Sequence, residues 1–166
     1  MIFLVDLSAS GTFGSVSKLK NEVAAELCSL LAFSAVKNND KVGLIVFTDQ
    51  VEMFIPPKKG TRHVLRVIRE LLNFRPRQAK TDIVGALDYL GKVNKKRAVV
   101  FLVSDFQAEG FEKSMRVIGR RHDLVAVTIT DPREVSLPDV GLVELEDANR
   151  AQYAPHPNTI LLSPGE

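Results

Sequence analysis

The sequence predicts an α/β domain in which a mostly parallel sheet carries helices on both faces. Two patterns and one exception support this. Four apolar runs, Ile2–Val5, Val42–Phe47, Ala98–Val103 and Leu124–Ile129, are nearly continuous and rich in β-branched residues. Strands buried on both faces have that composition, and the runs are too short for typical helices. Stripes at helical spacing lie between them, so strands alternate with crossover helices. The exception is the pair Val42–Thr48 and Val51–Ile55, separated only by Asp49 and Gln50. No crossover helix fits there, which makes this connection a hairpin.

Taken in order, the first strand stops at Asp6. Leu19, Val23, Leu27, Leu30, Leu31 and Ser34 then follow at spacings of three and four, the pattern of one helix face. After the hairpin, Pro56 and Pro57 end its second arm, as on an edge strand. Val64, Ile68, Leu71 and Leu72 mark a second helix, Ile83, Leu87 and Leu90 a third, and Phe111, Met115 and Ile118 a fourth. Thr61 and Thr81 are read as N-caps of the second and third. A last short strand is expected at Leu142–Leu145. The proline-containing stretch after Asp147 has no period and reads as loop. The organisation is therefore one domain over residues 1–147 and a loop-like tail over 148–166.

The chain of 166 residues is long enough for one domain with a core. One cysteine and three histidines exclude an internal disulfide framework and the usual structural zinc sites. No apolar run approaches the ~18 residues that span a bilayer. Asp6 cuts the apolar opening too short for a signal-peptide core. The first buried strand begins at residue 2 with no polar lead-in, so a segment of a longer protein is expected. A formal charge of +2 gives no global case for nucleic acid, and none is expected as a partner. That charge is unevenly spread. Pro56 to Lys80 holds eight basic residues and one acid, and the remainder holds fourteen basic and nineteen acidic residues.

The chemistry gathers at strand ends. The first strand runs into Asp6-Leu-Ser8-Ala-Ser10-Gly11, and the strand over Ala98–Val103 runs into Ser104-Asp105-Phe106. In open α/β sheets, ligands collect at the carboxyl ends of strands where the strand order reverses. If these two strands are neighbours, Asp6 and Asp105 meet there, and the loop holding Thr81 reaches the same rim. Two carboxylates and three hydroxyls (Asp6, Asp105, Ser8, Ser10, Thr81) are all hard oxygen donors, which suit Mg2+, with Mn2+ as the substitute.

Asp6-x-Ser8-x-Ser10, then Thr81, then Asp105 resembles the metal-ion-dependent adhesion site of von Willebrand factor A-like domains. All five positions are present in the family's order. The wider text is similar to a bacterial family numbered 58 among domains of unknown function. The similarity runs through Leu27–Ser34, Asn39–Leu44, Phe54–Lys58, His63–Leu65, Ser104–Phe106 and Asp131–Glu134, and covers about residues 2–147. The resemblance implies a six-stranded sheet in the order 3-2-1-4-5-6, its third strand antiparallel, with helices on both faces. It also implies metal-dependent protein binding, in which a partner's Glu or Asp completes the metal shell, and no enzymatic activity. The implied partner is a MoxR-type AAA+ ATPase, and the implied setting is a cytoplasmic domain of a membrane-anchored protein. Gly11 stands where many such motifs have Met, but that position is not a ligand. The text after Asn149 is unfamiliar.

Other residues read as structural. Asp82 suits the positive end of a helix dipole, Asp49 a hairpin turn, Ser104 a strand end and Cys28 a small core position. The histidines form no pair at ligand spacing, and there is neither a nucleophile elbow nor a phosphate-binding glycine loop. The rival assignment is a Mg2+-dependent phosphatase or phosphotransfer enzyme with Asp6 as nucleophile. Ser8 stands where such enzymes carry a second acid. Arg62, Arg66 and Arg69 share a helix face. They read either as a solvated surface or as a docking surface for an acidic partner or an anionic leaflet.

Overall fold

The computed structural model describes residues 1–8, 15–76, 80–129 and 159–162, with 15–21 and 159–162 described by backbone alone. In chain order the elements are β1 (Ile2–Asp6), α1 (Ser15–Lys37), β2 (Val42–Phe47), β3 (Val51–Lys58), α2 (Thr61–Leu72), α3 (Ile83–Val93), β4 (Val99–Ser104), α4 (Glu112–Gly119), β5 (Asp123–Ile129) and β6 (Thr159–Leu162). They form one sheet in the order β3-β2-β1-β4-β5-β6. β3 pairs antiparallel with β2, and every other pairing is parallel. The expected topology is therefore observed.

β1 shows why the sheet must be covered on both sides. Its side chains alternate, and both sets are buried. Phe3 and Val5 pack with Ala24, Ala25 and Cys28 of α1 and with Val64 and Val67 of α2. Ile2 and Leu4 pack with Ala86, Leu87 and Leu90 of α3 and with Ile118 of α4. A central strand with two dry faces has no polar positions to spare, which explains its continuous apolar text. Truncating a fully buried side chain such as Leu4 to alanine costs ~2–5 kcal/mol.

Several details differ from expectation. On α1 the buried stripe is Ala24, Ala25, Cys28, Ala32 and Ala35, whereas Leu30 is 66% exposed. Small residues let the helix lie close to the sheet. Leu30 and Ser34 of the expected stripe lie outside the core, while its Val23, Leu27 and Leu31 pack partly buried against that same core. The Cys28 thiol is buried there, which pushes its pKa up to about 12 and makes it inert. On α2 the buried residues are Val64, Val67 and Leu71, and Leu72 lies outside. Neither threonine caps its helix. Gly60 precedes α2 with φ 101°, a backbone that favours glycine, and Asp82 caps α3 by accepting from the Gly85 amide at 2.8 Å.

Pro56 and Pro57 do not end the hairpin, since β3 continues to Lys58. The register slips between Val42↔Lys58 and Leu44↔Ile55, and Pro57 seats over Gly43. A Cβ at Gly43 would stand 2.9 Å from Pro57 Cγ, so the glycine makes room for the proline. The proline density of the tail predicts loop, yet Thr159–Leu162 pairs parallel with β5 as the sixth strand. A three-residue apolar run, Ile160–Leu162, between Pro157 and Pro164 is a weak local signal, and the strand it belongs to pairs at the open edge of β5. The strand expected at Leu142–Leu145 lies outside the described residues.

Candidate metal centre

β1 lies between β2 and β4, so strand order reverses beside it and a crevice opens at its carboxyl end. Asp6 is the last residue of β1, and Ser104 is the last of β4, one step beyond the Val5↔Val103 pair. The two side chains meet, with Ser104 Oγ donating to Asp6 Oδ2 at 2.7 Å. The other carboxylate oxygen, Oδ1, accepts from the Ser8 amide at 3.0 Å and from Thr81 Oγ1 at 3.4 Å. Ser8 Oγ and Thr81 Oγ1 are 2.5 Å apart.

Thr81 reaches this point from 75 residues downstream of Asp6 through a backbone anchor. The Asp82 amide donates to the Thr48 carbonyl at 2.7 Å, tying the start of α3 to the end of β2. Because Asp82 supplies the helix cap, the Thr81 hydroxyl is free to turn toward Asp6.

Asp105 follows Ser104 in a tight turn. The Phe106 amide donates to Ser104 Oγ at 3.1 Å, and the Gln107 amide to Asp105 Oδ1 at 3.2 Å. Phe106 sits at φ 56°, a strained region for a non-glycine residue, and its ring packs against Phe111. The turn thus fixes Asp105 at the rim beside Asp6.

The electrostatics of Asp6 would favour a positive charge beside it. Burial pushes its pKa above the usual carboxylate value, and repulsion from Asp105 adds to the rise. Hydrogen bonds from the Ser8 amide, Ser104 and Ser8 offset this in part. No cationic side chain among the described residues contributes. A partly buried carboxylate beside a second one, ringed by hydroxyls, fits a hard divalent cation by donor chemistry. No group of three or more His, Cys, Asp or Glu occurs among the described residues, so a soft, nitrogen- or sulfur-rich site has no donor set there.

Asp6, Ser8 and Thr81 are therefore joined directly, and Asp105 stands next to them. Ser10 lies outside the described residues. Arg62, Arg66 and Arg69 are exposed on α2 and are not part of this site. Ser104 and Thr48 are additional residues that position the site. Ser104 is 3% exposed and holds Asp6 as well as ending its strand. The signal for it is its place directly before Asp105 on the neighbouring strand. Thr48 acts through its backbone carbonyl, so its residue type carries no signal. His63 donates through Nε2 to the Val42 carbonyl at 2.8 Å, a structural role away from the site.

A doubly wound sheet with one antiparallel edge strand is the fold of von Willebrand factor A-like domains. A von Willebrand factor type A protein from Catenulispora acidiphila superposes with TM-score 0.55 at 11% identity, covering 78% of this chain and 32% of that one. Proximal thread matrix protein 1 of the mussel byssus, described with a zinc-occupied adhesion motif, superposes with TM-score 0.58 at 16% identity, covering 77% and 37%. At these identities the likeness is one of fold. Within that class, the chain belongs to the family described as protein of unknown function DUF58, whose model matches residues 1–155. An uncharacterized protein of Mycobacterium tuberculosis is 28% identical over 148 residues, covering 87% of this chain and 47% of the relative. The chain thus spans about half the length of that curated relative.

Proposed function

We propose that this domain is a metal-dependent protein-binding module. In this reading Asp6, Ser8, Ser10, Thr81 and Asp105 hold Mg2+, or Mn2+ in its place. The observation that carries it is the meeting of Asp6, Ser8 and Thr81 oxygens beside Asp105, from three separate parts of the chain. The bound ion would supply a Lewis-acidic position for a carboxylate from a partner protein. The chain's own residues prepare that position. Ser104 and the Ser8 amide hold the Asp6 carboxylate in one orientation, and the Ser8 and Thr81 hydroxyls present their oxygens side by side.

Both Asp6 oxygens already accept hydrogen bonds, which suits a fixed ligand better than the nucleophile of a phosphatase. Among the described residues no helix is long and apolar enough to cross a membrane. Membrane anchoring and work beside a MoxR-type AAA+ ATPase are proposals for the whole protein, resting on the family resemblance.

Calorimetric titration of the purified chain with Mg2+ and Mn2+ tests the reading. One site is expected, lost in Asp6→Ala. Absence of binding at millimolar metal would remove the assignment. Phosphoester turnover that disappears in Asp6→Asn would replace it with the enzyme.

A further inference from the structure

A second surface, on α2, is not part of the candidate metal centre. α2 begins after β3, whose end pairs with the start of β2, so its first turns lie at the end of the sheet opposite Asp6. Its inner side buries Val64, Val67 and Leu71. Its outer side carries Arg62, Arg66 and Arg69, all exposed, at positions i, i+4 and i+7. Leu65 and Leu72 run along the flank of this row and are 50% and 60% exposed. A helix already packed on one side normally turns a fully polar face to water, and this one does not.

The charges are also largely unanswered. Arg69 meets Glu70 at 3.1 Å, while Arg62 and Arg66 have no ion pair with another described residue. Lys58 and Lys59 extend the positive field at the helix start. The three cations on the helix are all arginine. A planar guanidinium pairs bidentately with carboxylates and gives up water more readily than an ammonium, and arginine is enriched at protein interfaces where lysine is depleted. A leaflet would be served as well by lysine. It would also want a broader apolar face than two leucines provide.

We infer that the outer face of α2 is a docking surface for an acidic amphipathic segment of a partner protein. Carboxylates at helical spacing meet Arg62, Arg66 and Arg69, and an apolar side chain covers Leu65 and Leu72. This contact needs no metal, so it is separable from the adhesion-site reading.

Selection of a displayed random peptide library on the whole chain, in EDTA, tests it. The expected outcome is enrichment of peptides with Asp or Glu at i, i+3 or i+4 and i+7 beside Leu, Ile or Phe. The best of these, followed by fluorescence anisotropy, should bind Arg62→Glu/Arg66→Glu at least tenfold more weakly. Leu65→Ser/Leu72→Ser should also weaken it, with the circular dichroism of both variants unchanged. Enrichment of non-acidic peptides, no enrichment, or equal binding to the charge-reversed variant overturns the proposal. Sedimentation with phosphatidylglycerol vesicles that depends on Arg62 and Arg66, with no acidic peptide enriched, overturns it in favour of a leaflet.

Discussion

The carboxyl end of the sheet and the outer face of α2 handle charge in opposite ways. At the sheet end, Asp6 is partly buried, repelled by Asp105 and held by hydroxyl and amide donors. On α2, Arg62 and Arg66 stand in water with no constraint from a described partner. The first arrangement carries its electrostatic cost within the folded domain, and a cation bound as proposed would relieve it. The second costs the fold nothing and becomes useful only when another molecule excludes water from it. Pre-organisation therefore marks the candidate metal centre, whereas residue type and residual apolar exposure mark the flank.

The comparison breaks most sharply at Asp6. Asp6→Ala is expected to lower Mn2+ affinity by more than ~100-fold in calorimetry, since a ligand counts for more than the groups that orient it. An unchanged affinity would place the ion elsewhere. Ser104→Ala is expected to weaken Mn2+ binding by ~10-fold, because the Asp6 carboxylate loses its fixed orientation. Ser104→Thr keeps the hydroxyl and should restore binding. Equal loss in both variants would mean that Ser104 matters for packing alone.

A smaller effect concerns stability without metal. The pKa of Asp6 is raised by burial, so the folded state favours the protonated carboxyl. Its contribution to stability is then fully present below the ordinary value of 3.8 and is lost as pH rises through the higher folded-state pKa. In EDTA at neutral pH, Asp6→Asn should therefore raise Tm by ~2–4 °C, as expected for ~1 kcal/mol in a domain of this size. The gain should vanish in acid, and added Mn2+ should stabilise only the wild type. A variant that melts lower than wild type in EDTA would show that the carboxylate is not under strain. The smallest effect is the most useful for separating the two regions. Arg62→Glu/Arg66→Glu should leave Mn2+ affinity within ~2-fold, as for distant, independent sites. A larger shift would join the two surfaces into one.

How much of this was legible in the text depends on the range of each interaction. The parallel strands are legible because burial on both faces leaves no room for polar residues, and Phe3 and Leu4 show both faces filled. The hairpin is legible because two residues cannot form a crossover. Helix orientation is less so. Leu30 and Leu72 keep the helical period yet lie outside, since period locates a stripe without telling which stripe faces the sheet. The capping role of Asp82, rather than Thr81, depends on where the chain is anchored to Thr48.

The sequence alone determined the donor chemistry. With one cysteine and three histidines, hard oxygen ligands were what remained for the proposed ion, and the resemblance to an adhesion motif singled out Asp6, Ser8, Ser10, Thr81 and Asp105 as its candidates. It also determined the excess of arginine and lysine between Pro56 and Lys80. Only the tertiary structure decided that Ser104 grips Asp6, because that contact joins residues 98 positions apart and exists once β1 and β4 pair. Only the fold, likewise, turned Leu65 and Leu72 outward beside the arginines. Which side of an amphipathic helix meets the sheet is settled by how closely the backbones pack, and no local period encodes that distance.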